Sequence, residues 1–217
     1  CLDTFVHVAQ NCYDALPDDP ERDVFQIPAF LTTMVEKKLL GSKTKAGFYK
    51  KVKVDGASEI LVLDIETLDY RPKQKVRYPS IGAARKAETL PEKLCAMVYG
   101  DDDASKAAWT VLADTLIYTA NRIPEIADDV VNIDRGMRWG FGWSMGPFET
   151  WDAIGLTRSV ERMEAEGRAV PAWVRALVDA GQTSFYSRRE DGTATYTGQD
   201  GSGQAVPQAD GVVLLSD

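Results

Sequence analysis

The sequence predicts a mostly α-helical protein of two related helical domains with short β-hairpins. Apolar residues recur at helical spacing through most of the chain, as Phe5, Val8, Cys12 and Leu16 do at its start. β-rich runs are confined to short segments between turn signals. One pattern of residues occurs twice.

Taken in order, residues 3–16 form an amphipathic helix that Pro17, Asp18, Asp19 and Pro20 end. Pro28 opens a second helix running to Lys38, with Phe30, Leu31, Met34 and Val35 inward and Gly41 as its stop. Residues 48–54 and 59–63 are β-rich and meet across Asp55-Gly56 as a hairpin. Residues 71–79 read as a polar, Pro-flanked connector between domains. Ser80 is placed to cap a helix through Lys86, and Pro91 to open another through Val98. The longest helix is expected over 104–127, with Ala108, Val111, Leu112, Thr115, Leu116, Thr119, Ala120 and Ile123 as its apolar stripe. Pro124 should kink or end it. Shorter helices follow at 133–138, 147–153, 157–166 and 171–180. Residues 192–210, rich in Gly, Gln, Ser and Ala, read as a linker, and 211–217 as the start of a strand entering another domain.

The repeat sets the division. Pro28-Ala29-Phe30-Leu31-Thr32-Thr33-Met34-Val35-Glu36 lines up with Pro171-Ala172-Trp173-Val174-Arg175-Ala176-Leu177-Val178-Asp179. Each copy continues to a Phe-Tyr pair, Phe48-Tyr49 and Phe185-Tyr186, and upstream Leu2–Val6 matches Leu156–Val160. The second copy has a long helix and a Gly-Pro turn ahead of this match. The expected domains are a truncated first repeat at 1–77, a second repeat at 78–197, and a linker at 198–217 leading toward a further domain. A first residue other than Met fits a piece of a longer polypeptide.

The most specific stretch is 121–155. Asn121-Arg122 lies in an apolar-periodic segment, Ile133-Asp134 reads as the start of a helix, and Trp139 to Trp143 form an aromatic, glycine-rich turn. Met145-Gly146-Pro147-Phe148-Glu149 and a short helix follow. In that order these parts resemble the signature of the helical C-terminal domain of 3-hydroxyacyl-CoA dehydrogenases. The resemblance runs to about Thr197 and implies the fold shared with the 6-phosphogluconate dehydrogenase C-terminal domain. Lys43-Thr44-Lys45-Ala46-Gly47-Phe48-Tyr49 is similar to the family's lysine, glycine, Phe-Tyr loop, whereas Gln182-Thr183-Ser184 lacks the lysine and glycine, so the second copy looks degenerate. Long multifunctional members carry two copies of this domain behind one dinucleotide-binding domain.

By that resemblance the parent protein interconverts (S)-3-hydroxyacyl-CoA and 3-ketoacyl-CoA with NAD in fatty-acid β-oxidation. NAD would be bound by an N-terminal domain outside this chain, together with a catalytic histidine and its glutamate. No strand, G-x-G-x-x-G turn and helix occurs here; Gly140-Phe141-Gly142 and Gly201-Ser202-Gly203 are G-x-G only. The single histidine, His7, has no partner residues suggesting a dyad. No catalytic, cofactor or metal residue is therefore expected. The substrate-binding candidates are Asn121, Arg122, Met145, Gly146, Pro147 and Phe148. An amide at Asn121 can donate to a thioester carbonyl or oxyanion, and Arg122 can meet a CoA phosphate. Each has a plainer reading: a helix-to-helix tie for Asn121, an ion pair for Arg122, and a tight turn over packed Phe148 and Trp151. Trp139, Phe141 and Trp143 read as core or inter-repeat packing ahead of a seat for a flat ligand. Asp101-Asp102-Asp103 reads as a helix N-terminus rather than a cation site.

Composition bounds the alternatives. With 25 Lys plus Arg against 33 Asp plus Glu and a net charge of -8, the chain suits nucleic acid poorly. Three scattered cysteines without CxxC spacing read as reduced thiols in a cytoplasmic protein. Cys1 as a lipidated terminus is countered by the helix that starts at once. The expected function is the helical C-terminal portion of an NAD-dependent dehydrogenase, forming substrate-cleft wall and inter-repeat or homodimer packing, inactive alone, with an enoyl-CoA hydratase domain following. The alternative is a non-catalytic helical scaffold.

Overall fold

A computed structural model describes residues 1–54 and 56–208. The chain divides into two compact units, Cys1–Val76 and Arg77–Asp217. The strand expected at 211–217 lies outside the described residues, as does Asp55 of the expected hairpin turn.

In the first unit, α1 (Leu2–Ala15) and α2 (Ala29–Glu36) pack on a three-stranded antiparallel sheet, β1 (Tyr49–Val54), β2 (Ala57–Leu63) and β3 (Tyr70–Pro72), in that order. Val54 pairs with Ala57, and Gly56 has φ +82, a left-handed value that only glycine adopts freely in a tight hairpin turn. Leu31, Met34 and Leu63 form the core, with Leu2, Val6, Ile27, Phe30 and Tyr70 against it. α2 stops before Gly41. Lys38 takes the left-handed conformation at φ 58, and the Leu39 amide donates to the Met34 carbonyl at 2.8 Å, which closes the helix end. β3 falls at the edge of the segment expected as connector. It was missed because three residues pairing onto β2 carry no periodicity of their own.

The second unit runs α3 (Pro79–Lys86), α4 (Leu90–Val98), α5 (Asp103–Asn121), α6 (Val130–Phe141), α7 (Pro147–Ile154), α8 (Leu156–Ala165) and α9 (Ala172–Asp179). A second three-stranded antiparallel sheet follows, β4 (Tyr186–Arg188), β5 (Ala194–Thr197) and β6 (Gly203–Ala205), again in sequential order. Thr89 caps α4 by accepting from the Glu92 amide while Glu92 accepts from the Thr89 amide, a reciprocal capping box. Asp102 caps α5, accepting from the Ser105 amide at 2.9 Å. The same carboxylate takes the Ser80 amide at 2.8 Å and hydroxyl at 2.7 Å. Ser80 is therefore not the cap of α3. It lies one residue inside the helix, behind Pro79, and docks α3 on the start of α5.

Two further expectations are corrected. α5 ends at Asn121, before Pro124, and its buried face is Ser105, Trp109, Ala113, Leu116 and Ala120. Val111, expected inward, is 69% exposed. The stripe was misplaced because α5 touches both α4 and α7, so small residues at the contacts (Ala113, Ala120) matter more than the large ones between them. The segment expected as a linker forms β5 and β6, with Tyr196 in the main core. Its Gly and Ser residues make tight turns between strands too short to show alternation.

The repeat has matching local structure in the two units. α2 and α9 both span eight residues, both enter through a proline, and both end in a left-handed residue, Lys38 at φ 58 and Gly181 at φ 85. Leu63 donates to the Phe48 carbonyl at 2.9 Å, as Thr197 does to Phe185 at 2.8 Å. In the second unit Phe148, Trp151 and Phe185, all fully buried, form an aromatic knot with Trp173, the Phe148 and Phe185 centroids 4.9 Å apart edge to face. Truncating a buried phenylalanine removes its transfer energy and leaves a cavity. Phe148→Ala is expected to destabilise this unit by about 3–5 kcal/mol in urea unfolding. A loss below about 1 kcal/mol would mean that the knot is not the core.

Candidate functional site

The candidate residues fall in two groups, one at the end of α5 and one at the start of α7. Asn121 is the last residue of α5 and is exposed, and among the described residues no side-chain hydrogen bond holds it. The helix-tie reading therefore finds no bond in this unit. Arg122 follows as the C-cap, with its side chain only 14% exposed. One guanidinium nitrogen meets Glu125 at 2.8 Å, and the group lies 5.0 Å from the Tyr118 ring centroid. Its Nε is buried and has no hydrogen-bond partner among the described residues. Little of this guanidinium is turned outward to an incoming phosphate.

Met145 is half-buried, and Gly146, Pro147 and Phe148 are buried. Their geometry is governed by a residue that sequence reasoning passed over. Asp134, 2% exposed, sits inside α6 and accepts from the amides of Phe148 at 2.8 Å and Glu149 at 3.0 Å. These are orphan N–H groups at the start of α7, so Asp134 supplies a cap from a neighbouring helix. The Tyr186 hydroxyl donates to the same carboxylate at 2.8 Å. Gly146 closes the gap: a Cβ there would fall 2.3 Å from the Asp134 side chain. Glu149 accepts from the Gly146 amide at 2.7 Å and pairs with Arg138 at 3.0 Å. One turn further along α7, Asp152 takes the amides of Phe185 at 2.7 Å and Tyr186 at 2.9 Å.

The Gly-Pro-Phe run is thus the docking point of α7 on α6 and the sheet. The structure links it to the end of α5 only indirectly. Trp173, packed 6.1 Å from Phe148, donates its indole N–H to the Ala120 carbonyl at 3.2 Å. Asp134 was read, with Ile133, as the start of a helix; α6 begins at Val130, capped by Asp129 at 2.7 Å from the Asn132 amide. Trp139 and Phe141 are 76% and 75% exposed, so they are not core of this unit, and the Arg135 guanidinium lies 5.5 Å from the Trp139 ring. Clefts open elsewhere, one lined by Ile123, Asp129, Tyr196 and Gln204 and another by Ser80, Ala83, Cys95 and Tyr99.

Both sheets are antiparallel, and among the described residues no strand leads through a glycine turn into a helix, the frame that cradles a dinucleotide pyrophosphate. Among the described residues, no three His, Cys, Asp or Glu side chains converge as a metal would require. No described helix is long and apolar enough to cross a membrane.

Two measurements test the Asp134 anchor. Gly146→Ala must push the Asp134 backbone aside, and is expected to destabilise the unit by about 2 kcal/mol or more, near the upper end of single-residue effects. Burial also pushes the Asp134 carboxyl from 3.8 up to about 7 and that of Asp152 to about 6, outweighing their hydrogen bonds, with Glu149 adding to both. Where a carboxyl binds its proton more tightly in the folded state, its contribution is full below the unfolded pKa and lost as pH rises through the folded one. The Tm should therefore fall between about pH 4 and pH 7 and level off above, and Asp134→Asn should make that fall shallower. A Tm rising over this window would contradict the burial argument.

Residues 111–191, which contain the Asp134 anchor and the aromatic knot, match the family described as 3-hydroxyacyl-CoA dehydrogenase, C-terminal domain. The chain is 45% identical over 195 residues, 90% of its length, to a probable 3-hydroxyacyl-CoA dehydrogenase of Bacillus subtilis, of which it spans 24%. It is 27% and 28% identical, over 65% of its length, to putative fatty acid oxidation complex trifunctional enzymes of Rickettsia felis and Rickettsia prowazekii, of which it spans 18% each. The chain thus spans about a quarter or less of the relatives it matches, and residues 111–191 of its helical unit are similar to the 3-hydroxyacyl-CoA dehydrogenase C-terminal domain.

Proposed function

We propose that this chain is the helical C-terminal portion of an NAD-dependent 3-hydroxyacyl-CoA dehydrogenase of fatty-acid oxidation. The reading is carried by one observation, the kinship to a probable 3-hydroxyacyl-CoA dehydrogenase along nine-tenths of the chain. The antiparallel sheets support the view that nucleotide and catalytic histidine come from another domain of the parent. The helices then serve as a wall of the acyl-CoA cleft and as packing surface. Asn121 is the candidate that faces outward, free to donate its amide to a thioester carbonyl. Arg122 follows it in the chain and Met145 leads into the α7 turn, while Gly146, Pro147 and Phe148 act by holding α7.

The test compares the chain with its full-length parent. With NAD and a short 3-hydroxyacyl-CoA, the isolated chain should produce no NADH absorbance and the parent should. In the parent, Asn121→Ala is expected to lower kcat/KM by about tenfold, the loss of roughly 1.4 kcal/mol of transition-state stabilisation. An unchanged kcat/KM would remove Asn121 from the site, and NADH formation by the isolated chain would overturn the division of labour.

The exposed Trp139, Phe141 and Trp143 favour a second reading, a helical interaction module without ligand. Saturable quenching of tryptophan fluorescence by acyl-CoA would argue for a live pocket. No change up to millimolar ligand would favour the module.

A further inference from the structure

The first unit carries a hairpin that outgrows its counterpart in the second. Counted from the matching tyrosines, β1 runs six residues to Val54, whereas β4 runs three and stops at Arg188. In the added length Lys51 stands opposite Ile60 and Lys53 opposite Ser58. Side chains two apart on a strand share a face, so these four residues lie on one side of the sheet. It is the side away from the core, which Leu63 and Tyr70 reach from the other face. Glu59, the one carboxylate within the three strands, falls on the core side by the same alternation.

Lys51 and Lys53 are exposed, as are Lys73 and Lys75 just beyond β3. Among the described residues none of the four is ion-paired, whereas Lys43 is held by Asp3 and Arg71 by Asp64. Arg188, the counterpart of Lys51, is tied back to the Gly192 carbonyl at 3.2 Å. Arg188 is exposed although Tyr186 and Tyr196 beside it pack in the core of the second unit. The lysine end of the first hairpin therefore lies past the part of the repeat that helices cover. Ile60 is 51% exposed among these cations, and Val54 at the hairpin end is 48% exposed. Lysines on an edge strand discourage strand addition, but Ile60 lies on the central strand, where there is no edge to guard.

We propose that the distal half of this hairpin docks on a membrane surface rich in anionic phospholipid. Lys51, Lys53, Lys73 and Lys75 meet the phosphates, and Ile60 and Val54 reach the boundary of the acyl chains. The aliphatic pair favours lipid over nucleic acid, because neither side chain offers a base a ring to stack on. Each cation near such a surface strengthens partitioning about fivefold, so four together give a factor of several hundred. The net charge of -8 opposes this weakly, because salt screens charges beyond about 8 Å under physiological conditions. Docking of this kind needs no spanning helix. The inference stands on the hairpin and does not depend on any dehydrogenase activity.

The test floats the whole chain with vesicles of equal parts phosphatidylcholine and phosphatidylglycerol. Binding should be seen in low salt, fade in high salt, and be absent with phosphatidylcholine alone. Lys51→Gln with Lys53→Gln should lower partitioning at least tenfold and Ile60→Ser about threefold, while Arg188→Gln leaves it unchanged. Should the first pair fail to fold, Lys73→Gln with Lys75→Gln, outside the strands, provides a second reading with the same loss. No binding to the anionic vesicles, or binding that these lysine changes or Ile60→Ser leave intact, would overturn the proposal. So would release from the vesicles by an oligonucleotide at equal phosphate, which would make nucleic acid the partner. Release by millimolar CoA would overturn it as well, because a soluble phosphate would then be the ligand.

Discussion

The second unit depends on a buried carboxylate meeting backbone amides that no helix can satisfy from within. Asp134 does this for the start of α7 and also accepts the Tyr186 hydroxyl, so one side chain joins α6, α7 and the first strand of the sheet. An N-cap from a neighbouring helix leaves the residue before α7 unable to carry a side chain, which is why Gly146 stands there. Pro147 then costs no hydrogen bond, because its missing N–H belongs to the orphan set of the first turn. Gly-Pro-Phe is therefore a consequence of where Asp134 lies.

Asp152 extends the same device to the other end of α7, where it takes the two amides that open β4. Between the carboxylates the aromatic knot fills the space, and Phe148, Trp151 and Phe185 exclude water from both. That exclusion raises the proton affinity of Asp134 and Asp152, because a charge stripped of solvent is costly even when hydrogen-bonded. Packing and polar anchoring are one arrangement here: removing the rings would hydrate the carboxylates, and removing the carboxylates would leave buried amides unpaired.

The remaining polar clusters hold helices together in the same manner. Glu166 accepts the Trp109 indole N–H and pairs with Arg162 and Arg168, bringing the end of α8 against α5. Such bonds account for the acidic residues that the unit buries or half-buries. Among the side chains the unit leaves exposed are Asn121 and, at the end of α6, Trp139 and Phe141.

The helices, their Pro and Gly ends, the first hairpin and the repeat were legible in the sequence, because each rests on residues adjacent in the chain. Pro28 and Pro171 start helices by their fixed φ, and apolar spacing alone exposes α1, α2, α8 and α9. The likeness of 121–155 to a known domain was legible for the same reason. Partners that lie far apart in sequence were decided only by the tertiary structure. Ser80 looked like a cap until Asp102 claimed it, and Asp134 looked like a helix start until the amides of Phe148 and Glu149 were seen to reach it. The face of α5 turned on which small residues meet α4 and α7, and β3, β5 and β6 exist only through pairing. Local conformational preference is written residue by residue, whereas the desolvation of a carboxylate or the closing of a sheet depends on neighbours that the chain brings together only on folding.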